Sequence, residues 1–360
     1  MEPSRPVGEE FRDDLRPVGA QAAAAGSGNA AARRLLTAEE LAPLTCLDDP
    51  RSAGAVLLTF TIIAAAIAFG VWAWPRPWVA LSVLVVGVQQ HALFILAHES
   101  AHYRLFSNRS ANDGVGRLIG MAGAISMCTY RVVHRLHHNN LYTDEDPDTA
   151  IHGGYPRGRA YLWKKLGEDL LGLNAWKTFA YFFGAPAIND ATDRALRPLD
   201  DTSPQLRAAA RADRLAVIAF QLSLPLACLA AGGLHGLLLY AVLWLLPMLT
   251  VLQPILRLRA ICEHGATVDF SSPLTAARTN RSWGGVCNLV GRVLLFPHHV
   301  NYHLEHHLYP AVPHYHLPCL HRLLRDKGAL AGAEVRDLGE TLGLVFAARR
   351  PREVALSAEH

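Results

Sequence analysis

The chain has 360 residues, 51% of them hydrophobic and 18% charged, with a mean hydropathy of +0.15. That balance is too apolar for an ordinary soluble enzyme and too charged for a chain immersed in the bilayer throughout, so it fits an integral membrane protein with a large aqueous face. A net charge of +3 and a pI near 8.6 are too modest for a nucleic-acid binder, and no basic or aromatic nucleic-acid motif stands out.

Residues 1–36, which include the low-complexity run QAAAAGSGNAAARR, are expected to form a disordered cytoplasmic tail. The N-terminus is acidic and mixed, with no basic stretch leading into an apolar core, so a cleavable signal is not expected. Thr37 followed by Glu40 has the spacing of a capping box that opens a short helix. Four apolar segments then approach the length of a transmembrane helix: about 53–74, 78–97, 215–231 and 234–256. The links Pro75 to Pro77 and Gly232 to Gly233 are so short that the spans must pair as two hairpins. Trp72, Trp74 and Trp78 at the first tight turn fit an interfacial aromatic belt. Arg51, Arg211, Arg214, Arg257 and Arg259 flank the opposite ends, which places those ends and both termini in the cytoplasm, a bacterial inner membrane being the expected setting.

Between the hairpins, the glycine-containing apolar run 114–128 and the aromatic stretch 161–187 read as interfacial segments. Beyond the second hairpin a polar segment, 269–283, leads to a Leu-rich amphipathic helix from about 318, and 326–360 reads as a C-terminal cytoplasmic tail. The six cysteines contain no CxxC pair, which argues against a zinc ribbon or a disulfide framework and fits a reducing cytoplasm.

Histidines are grouped along this framework: His98 and His102 in HESAH, His134, His137 and His138 in HRLHH, and His303, His306 and His307 in HLEHH. Side chains three or four residues apart share one face of a helix, so each box offers its imidazoles in one direction. Imidazole suits iron, copper, nickel and zinc, and serves magnesium or calcium poorly. One zinc would use three or four of these rings. The surplus argues for two metal ions at a membrane surface. Box one prolongs the second span, so its rings emerge at the cytoplasmic boundary; His264 lies just past the fourth span at the same depth. Ligating imidazoles donate their other N–H to a carboxylate or carbonyl. For that role Asp146, Asp148 and Asn301 are favoured over Glu99, Asp144, Glu263 and Glu305. His298, His299, His314, His316 and His321 read as packing or supporting residues, and His152, His235 and His360 as surface residues.

HESAH also satisfies the HExxH pattern of zinc proteases, with His98 and His102 as ligands and Glu99 as general base. An intramembrane protease of that kind leaves HRLHH and HLEHH without a task. A metal transporter would hold its ligands near the bilayer midplane, whereas these boxes lie outside the spans.

The order HxxxH, HxxHH, HxxHH, with the flanks HRLHHNNLYTDEDPD and NYHLEHHLYPAVPHYHLP, resembles the membrane fatty acid desaturase and hydroxylase superfamily over roughly residues 37–325. The resemblance implies an all-α integral membrane protein: four transmembrane helices in two hairpins, with a cytoplasmic helical domain carrying a di-iron centre. It implies two irons held by His98, His102, His134, His137, His138, His264, His303, His306 and His307, dioxygen as cosubstrate, and no catalytic side chain beyond the metal ligands. Some members carry an asparagine one turn before the extra histidine, where this chain has Ala260. The function so implied is an O2-dependent fatty-acyl desaturase acting on a lipid or acyl thioester. A hydroxylase or a carotenoid or sphingolipid oxygenase is the alternative, and the zinc protease a distant one. The sequence has no HPGG haem segment, no cysteine cluster and no GxGxxG, so the expected electron donor is a separate ferredoxin, flavodoxin or cytochrome, docked on the basic cytoplasmic surface.

Overall fold

A computed structural model of the chain describes residues 35–141, 143, 145–185, 187–189, 194–196, 198–200, 202–267, 272–281 and 285–348. The expectations for residues 1–34, Asp144 and 349–360, His360 included, lie outside the described residues.

Helix α1 (Ala38–Thr45) opens on Thr37, whose hydroxyl accepts the Glu40 N–H at 3.3 Å while the Glu40 carboxylate accepts the Thr37 N–H at 2.8 Å. Those reciprocal bonds satisfy two of the amides a helix start leaves open. Helices α2 (Asp49–Ala73) and α3 (Val79–Ala101) are separated by a five-residue turn holding Pro75 and Pro77, which cannot continue the helical hydrogen-bond ladder. Next come α4 (Arg109–Ala122), α5 (Met127–Asn139), the single turn α6 (Thr149–His152), α7 (Arg159–Leu170) and α8 (Ala175–Phe182). Helices α7 and α8 leave Trp163, Leu170 and Trp176 exposed. A two-stranded antiparallel pair, β1 (Ala187–Asn189) and β2 (Arg194–Leu196), precedes the long run that begins with α9 (Pro204–Tyr240).

That run extends to His264 through a π-helical turn at Ala241–Leu245, α10 (Leu246–Leu249) and α11 (Leu252–His264). Among the described residues, three helical stretches are long and apolar enough to cross a membrane: α2, α3 and the run Pro204–His264. The run is not straight. Gly233 has φ 58° and ψ −149°, and the chain doubles back there so sharply that a Cβ on Gly236 would lie 2.2 Å from the Cys228 carbonyl oxygen. A side chain would strain that backbone, and glycine adopts it freely. The π turn comes just before Pro247, and the carbonyl of Trp244 within it accepts the buried Gln90 amide at 3.0 Å, as a polar group inside a hydrocarbon-facing bundle requires.

Helix α3 is the central pillar: 67% of its apolar window is buried, against 17% for α2 and 6% for the Pro204–His264 run. It packs on α2, α4 and α11, with Leu93, Phe94, Leu96 and Ala97 interlocked with Ile119, Met127, Tyr130 and Leu252. Close approach to the segment before α11 depends on Gly87, where an added Cβ would fall 2.5 Å from Val251 Cβ. Gly87→Ala is therefore expected to destabilise the bundle by about 1–3 kcal/mol through overpacking, read as a lower midpoint of thermal unfolding in detergent.

The remaining chain forms a cap over one end of the spans. Strand β3 (Thr279–Arg281) leads into α12 (Gly285–Leu294), α13 (His303–Leu308) and α14 (Leu317–Asp326). Leu304 and Leu308 of α13 sit on Leu317, Leu320 and Leu324 of α14, the amphipathic helix expected from about 318. The segment 326–360, read as a tail, supplies β4 (Val335–Asp337), parallel to β3, and α15 (Leu338–Val345). Leu338, Leu342 and Val345 recur at helical spacing and pack on Ile261, Cys262 and Phe296, burying a face too short to stand out as a periodic pattern. Arg278, fully buried, pairs with Glu334 at 3.0 Å and donates to the carbonyls of Cys262, Gly265 and Ala266, which ties the end of α11 to the cap.

Candidate metal centre

Four stretches deliver histidines to the junction of spans and cap. The last turns of α3 carry His98, and His102 follows at its C-cap. Helix α5 carries His134, His137 and His138, and its start is fixed from outside: the Asp213 carboxylate of α9 accepts the Cys128 N–H at 3.1 Å and the Ser126 hydroxyl at 2.8 Å. A carboxylate placed there also complements the positive end of the helix. Helix α11 ends on His264, and α13 carries His303, His306 and His307.

The nine rings form two adjoining groups. In one, single ring nitrogens of His98, His102, His134, His138 and His306 all lie within 4.8 Å of one another; in the other, those of His137, His264, His303 and His307 do. Neighbouring Nε2 atoms are 2.8 Å apart for His102 and His134, 3.0 Å for His134 and His138, and 3.1 Å for His138 and His306. In the second group they are 3.2 Å for His137 and His264, 2.8 Å for His264 and His303, and 3.1 Å for His303 and His307. Donors about 2.1 Å from one ion stand roughly 3.0 Å apart at right angles and about 3.4 Å apart in a tetrahedron, so these separations fit metal ligation. The groups touch: His138 stacks on His307 with ring centroids 4.2 Å apart.

Metal binding requires neutral imidazole. Burial, reinforced by neighbouring imidazoles, holds His134, His138, His303, His306 and His307 well below the usual histidine range. Burial and the Arg104 guanidinium push His102 down to about 3. His137 differs: burial pushes it down, but the Asp146 and Asp148 carboxylates outweigh burial and it is raised to about 9.

The outer ring nitrogens meet further groups. His137 Nδ1 donates to Asp146 Oδ1 at 2.9 Å and lies 3.5 Å from Asp148 Oδ2. Asp148 in turn accepts the Tyr181 hydroxyl at 2.6 Å. His264 Nδ1 lies 3.3 Å from the Ala276 carbonyl oxygen. Glu305, buried inside the third box, accepts His321 Nδ1 at 2.6 Å and the Thr279 hydroxyl, pinning α13 between α14 and β3. Asn301 donates to the Asn280 carbonyl at 3.0 Å, so it fixes the approach to the third box through β3. Glu99 accepts the His314 backbone N–H at 2.9 Å and lies 3.5 Å from His98 Nδ1. A carboxylate so engaged is placed to orient His98 and the loop before α14, which runs against the protease reading.

His152 corrects the sequence expectation of a surface residue. It is 1% exposed, 3.6 Å from Asp146 Oδ2, with its ring 4.9 Å from that of His264. The single turn α6 folds it back beneath the second box. Its one sequence signal was its place four residues after the Asp-Pro-Asp that ends that box. His235, by contrast, is exposed, edge-on to Trp74.

A helical protein whose apolar candidate spans end on two adjoining sets of buried imidazoles, able to hold metal, is by class a membrane-associated protein with a histidine-lined metal centre. The fatty acid desaturase family model matches residues 72–339, and the chain belongs to that family. It is 26% identical to a dihydrorhizobitoxine desaturase of Bradyrhizobium elkanii over 67% of this chain and 65% of the relative. It is 23% identical to a chloroplastic omega-3 fatty acid desaturase of Ricinus communis over 73% and 56%. It is 24% identical to a Delta(12) acyl-lipid conjugase (11E,13E-forming) of Impatiens balsamina over 68% and 63%. The matches thus span less than two thirds of the length of these relatives.

Proposed function

We propose that the chain is a membrane-bound desaturase that uses dioxygen and two irons to introduce a double bond into a fatty-acyl chain. The observation that carries this reading is the convergence of nine imidazoles, from four separate stretches, on two adjoining points. His98, His102, His134, His138 and His306 would hold one iron, and His137, His264, His303 and His307 the other. Bound there, the irons supply activation of dioxygen and removal of hydrogen from an unactivated C–H bond, chemistry that no side chain performs.

The chain's own contribution is placement. Asp146 accepts a hydrogen bond from Nδ1–H of His137, which leaves the Nε2 lone pair to face the metal, and the Ala276 carbonyl faces Nδ1 of His264 in the same way. Burial of both groups excludes bulk water, and α3 with α11 brings the site to the end of the spans, within reach of a lipid chain. In this reading α2 and α3 form one hairpin of spans and the two limbs on either side of Gly233 form the other. The histidine ends and both termini are then cytoplasmic, where a ferredoxin, flavodoxin or cytochrome donor delivers electrons. A second reading takes its substrate from the relative named for dihydrorhizobitoxine.

Lipid profiling by mass spectrometry of bacterial cells expressing the chain, beside metal analysis of the purified protein, tests both readings. The expected result is two irons per chain and acyl chains lighter by two hydrogens. Unchanged lipids with two irons would favour the second reading, a gain of one oxygen would select hydroxylation, and one zinc with unchanged lipids would overturn the assignment.

A further inference from the structure

A cavity of about 510 Å³ opens between the base of α2 and helix α12, outside both imidazole groups. Its polar lining is cationic or proton-donating: Arg51, Arg292, His298, His299 and His314 face it together with Tyr315, and among the described residues no carboxylate does. Among the described residues neither Arg51 nor Arg292 forms an ion pair. The nearby carboxylates are engaged elsewhere: Asp48 caps α2 through the Arg51 N–H, and Asp49 accepts the Ser107 N–H and hydroxyl. Arg292 donates to His299 Nδ1 at 3.1 Å, which leaves His299 Nε2 as a second N–H donor. Nε2 of His298 is buried without a hydrogen-bond partner among the described residues. His298 and His299 both hold left-handed backbone conformations, φ 53° and 58°, which non-glycine residues adopt at a cost and which recur where a binding surface demands them.

The other wall is apolar, from Ala55, Leu289, Val293 and Phe296. Leu289, Val290 and Val293 are 64%, 49% and 45% exposed. On a helix beside the first turn of an apolar span, such exposure suits contact with lipid rather than water. Arginine forks are matched to phosphate oxygens, and basic pockets at the ends of spans sit at headgroup depth.

We infer that this cavity binds the phosphate of a membrane phospholipid, and so holds the headgroup of the substrate beside the metal centre. The cavity is one carboxylate away from the first imidazole group: His314 in its wall donates its backbone N–H to Glu99 at 2.9 Å, and Glu99 reaches His98 Nδ1 at 3.5 Å. The binding site stands on its own geometry; that its occupant is also substrate rests on the desaturase reading.

The test is a titration of the full-length, metal-bearing chain in detergent with four probes: dihexanoyl phosphatidylglycerol, dihexanoylglycerol, hexanoyl coenzyme A and inorganic phosphate. Binding is read by thermophoresis without turnover. The phospholipid is expected to bind at least about tenfold more tightly than each of the others, the margin that charge-assisted guanidinium contacts supply when joined to an apolar wall. The double variant Arg51→Gln with Arg292→Gln is expected to lose that preference while keeping its metal content and thermal midpoint. Arg51→Lys with Arg292→Lys is expected to keep part of it, and Arg76→Gln, at the far end of α2, all of it. Equal binding of phospholipid and dihexanoylglycerol, equal binding of inorganic phosphate, tighter binding of hexanoyl coenzyme A, or an unchanged preference in the glutamine double variant would each overturn the inference. A chain that desaturates no lipid but shows the preference would refute the reaction and leave the site in place.

Discussion

His306→Ala is expected to remove iron from the chain and to lower its desaturation rate by more than about a hundredfold, since deleting a metal ligand costs at least as much as the 10–100-fold seen on deleting a group that merely supports one. His306 Nε2 lies 3.1 Å from that of His138, its ring centroid lies 4.4 Å from that of His98, and the residue is 3% exposed. Among the described residues it is the only member of the first group that comes from the cap; the others come from α3 and its C-cap and from α5. Its loss therefore detaches the cap's only donor to that group. His307, one residue on, faces the second group and cannot replace it, because adjacent residues on a helix point in different directions. Iron per chain should fall from two toward one, with the thermal midpoint of the metal-free protein little changed. A variant that keeps two irons and full activity would remove His306 from the centre.

Which imidazoles converge was legible in the sequence because each box is local. HESAH, HRLHH and HLEHH declare a helical face within five residues, and His264 declares itself by depth, following the fourth apolar segment. How the donors divide was not legible. The split of α5, with His134 and His138 in one group and His137 in the other, depends on which imidazoles of α3, α11 and α13 the fold brings to each. His152 was misread for the same reason. Nothing in its spacing indicates that one turn after Asp148 returns it to the underside of His137 and His264.

The spans show a similar boundary. Length and apolarity marked α2 and α3, and the glycine pair marked the reversal at Gly233, where φ is positive. The π turn at Ala241–Leu245 lies just before Pro247, and its Trp244 carbonyl accepts the Gln90 side-chain amide across helices, a contact between positions 154 residues apart in sequence that no local pattern records. The end of the chain escaped for lack of length: eight residues of α15 bury Leu338 and Val345, too few to establish a period.

Asp146→Asn is expected to weaken iron binding by the second group by about 10–100-fold while leaving the first group loaded, because the carboxylate acts through His137 and not on the metal. Asp146 is 3% exposed; its Oδ1 accepts both His137 Nδ1–H and the Asp148 N–H at 2.9 Å, and its Oδ2 lies 3.6 Å from His152 Nε2. An asparagine can keep a hydrogen bond to Nδ1 but loses the charge that makes His137 a stronger donor and fixes its tautomer. Removing a buried acceptor from two histidines would otherwise confound folding with function, so the measurement is the rate at which a chelator extracts each iron, followed spectroscopically at constant temperature below the unfolding midpoint. One iron should leave faster and the other at the wild-type rate. Equal acceleration of both would mean that Asp146 holds the fold together rather than orienting His137, and no acceleration would mean that His137 binds metal without its help.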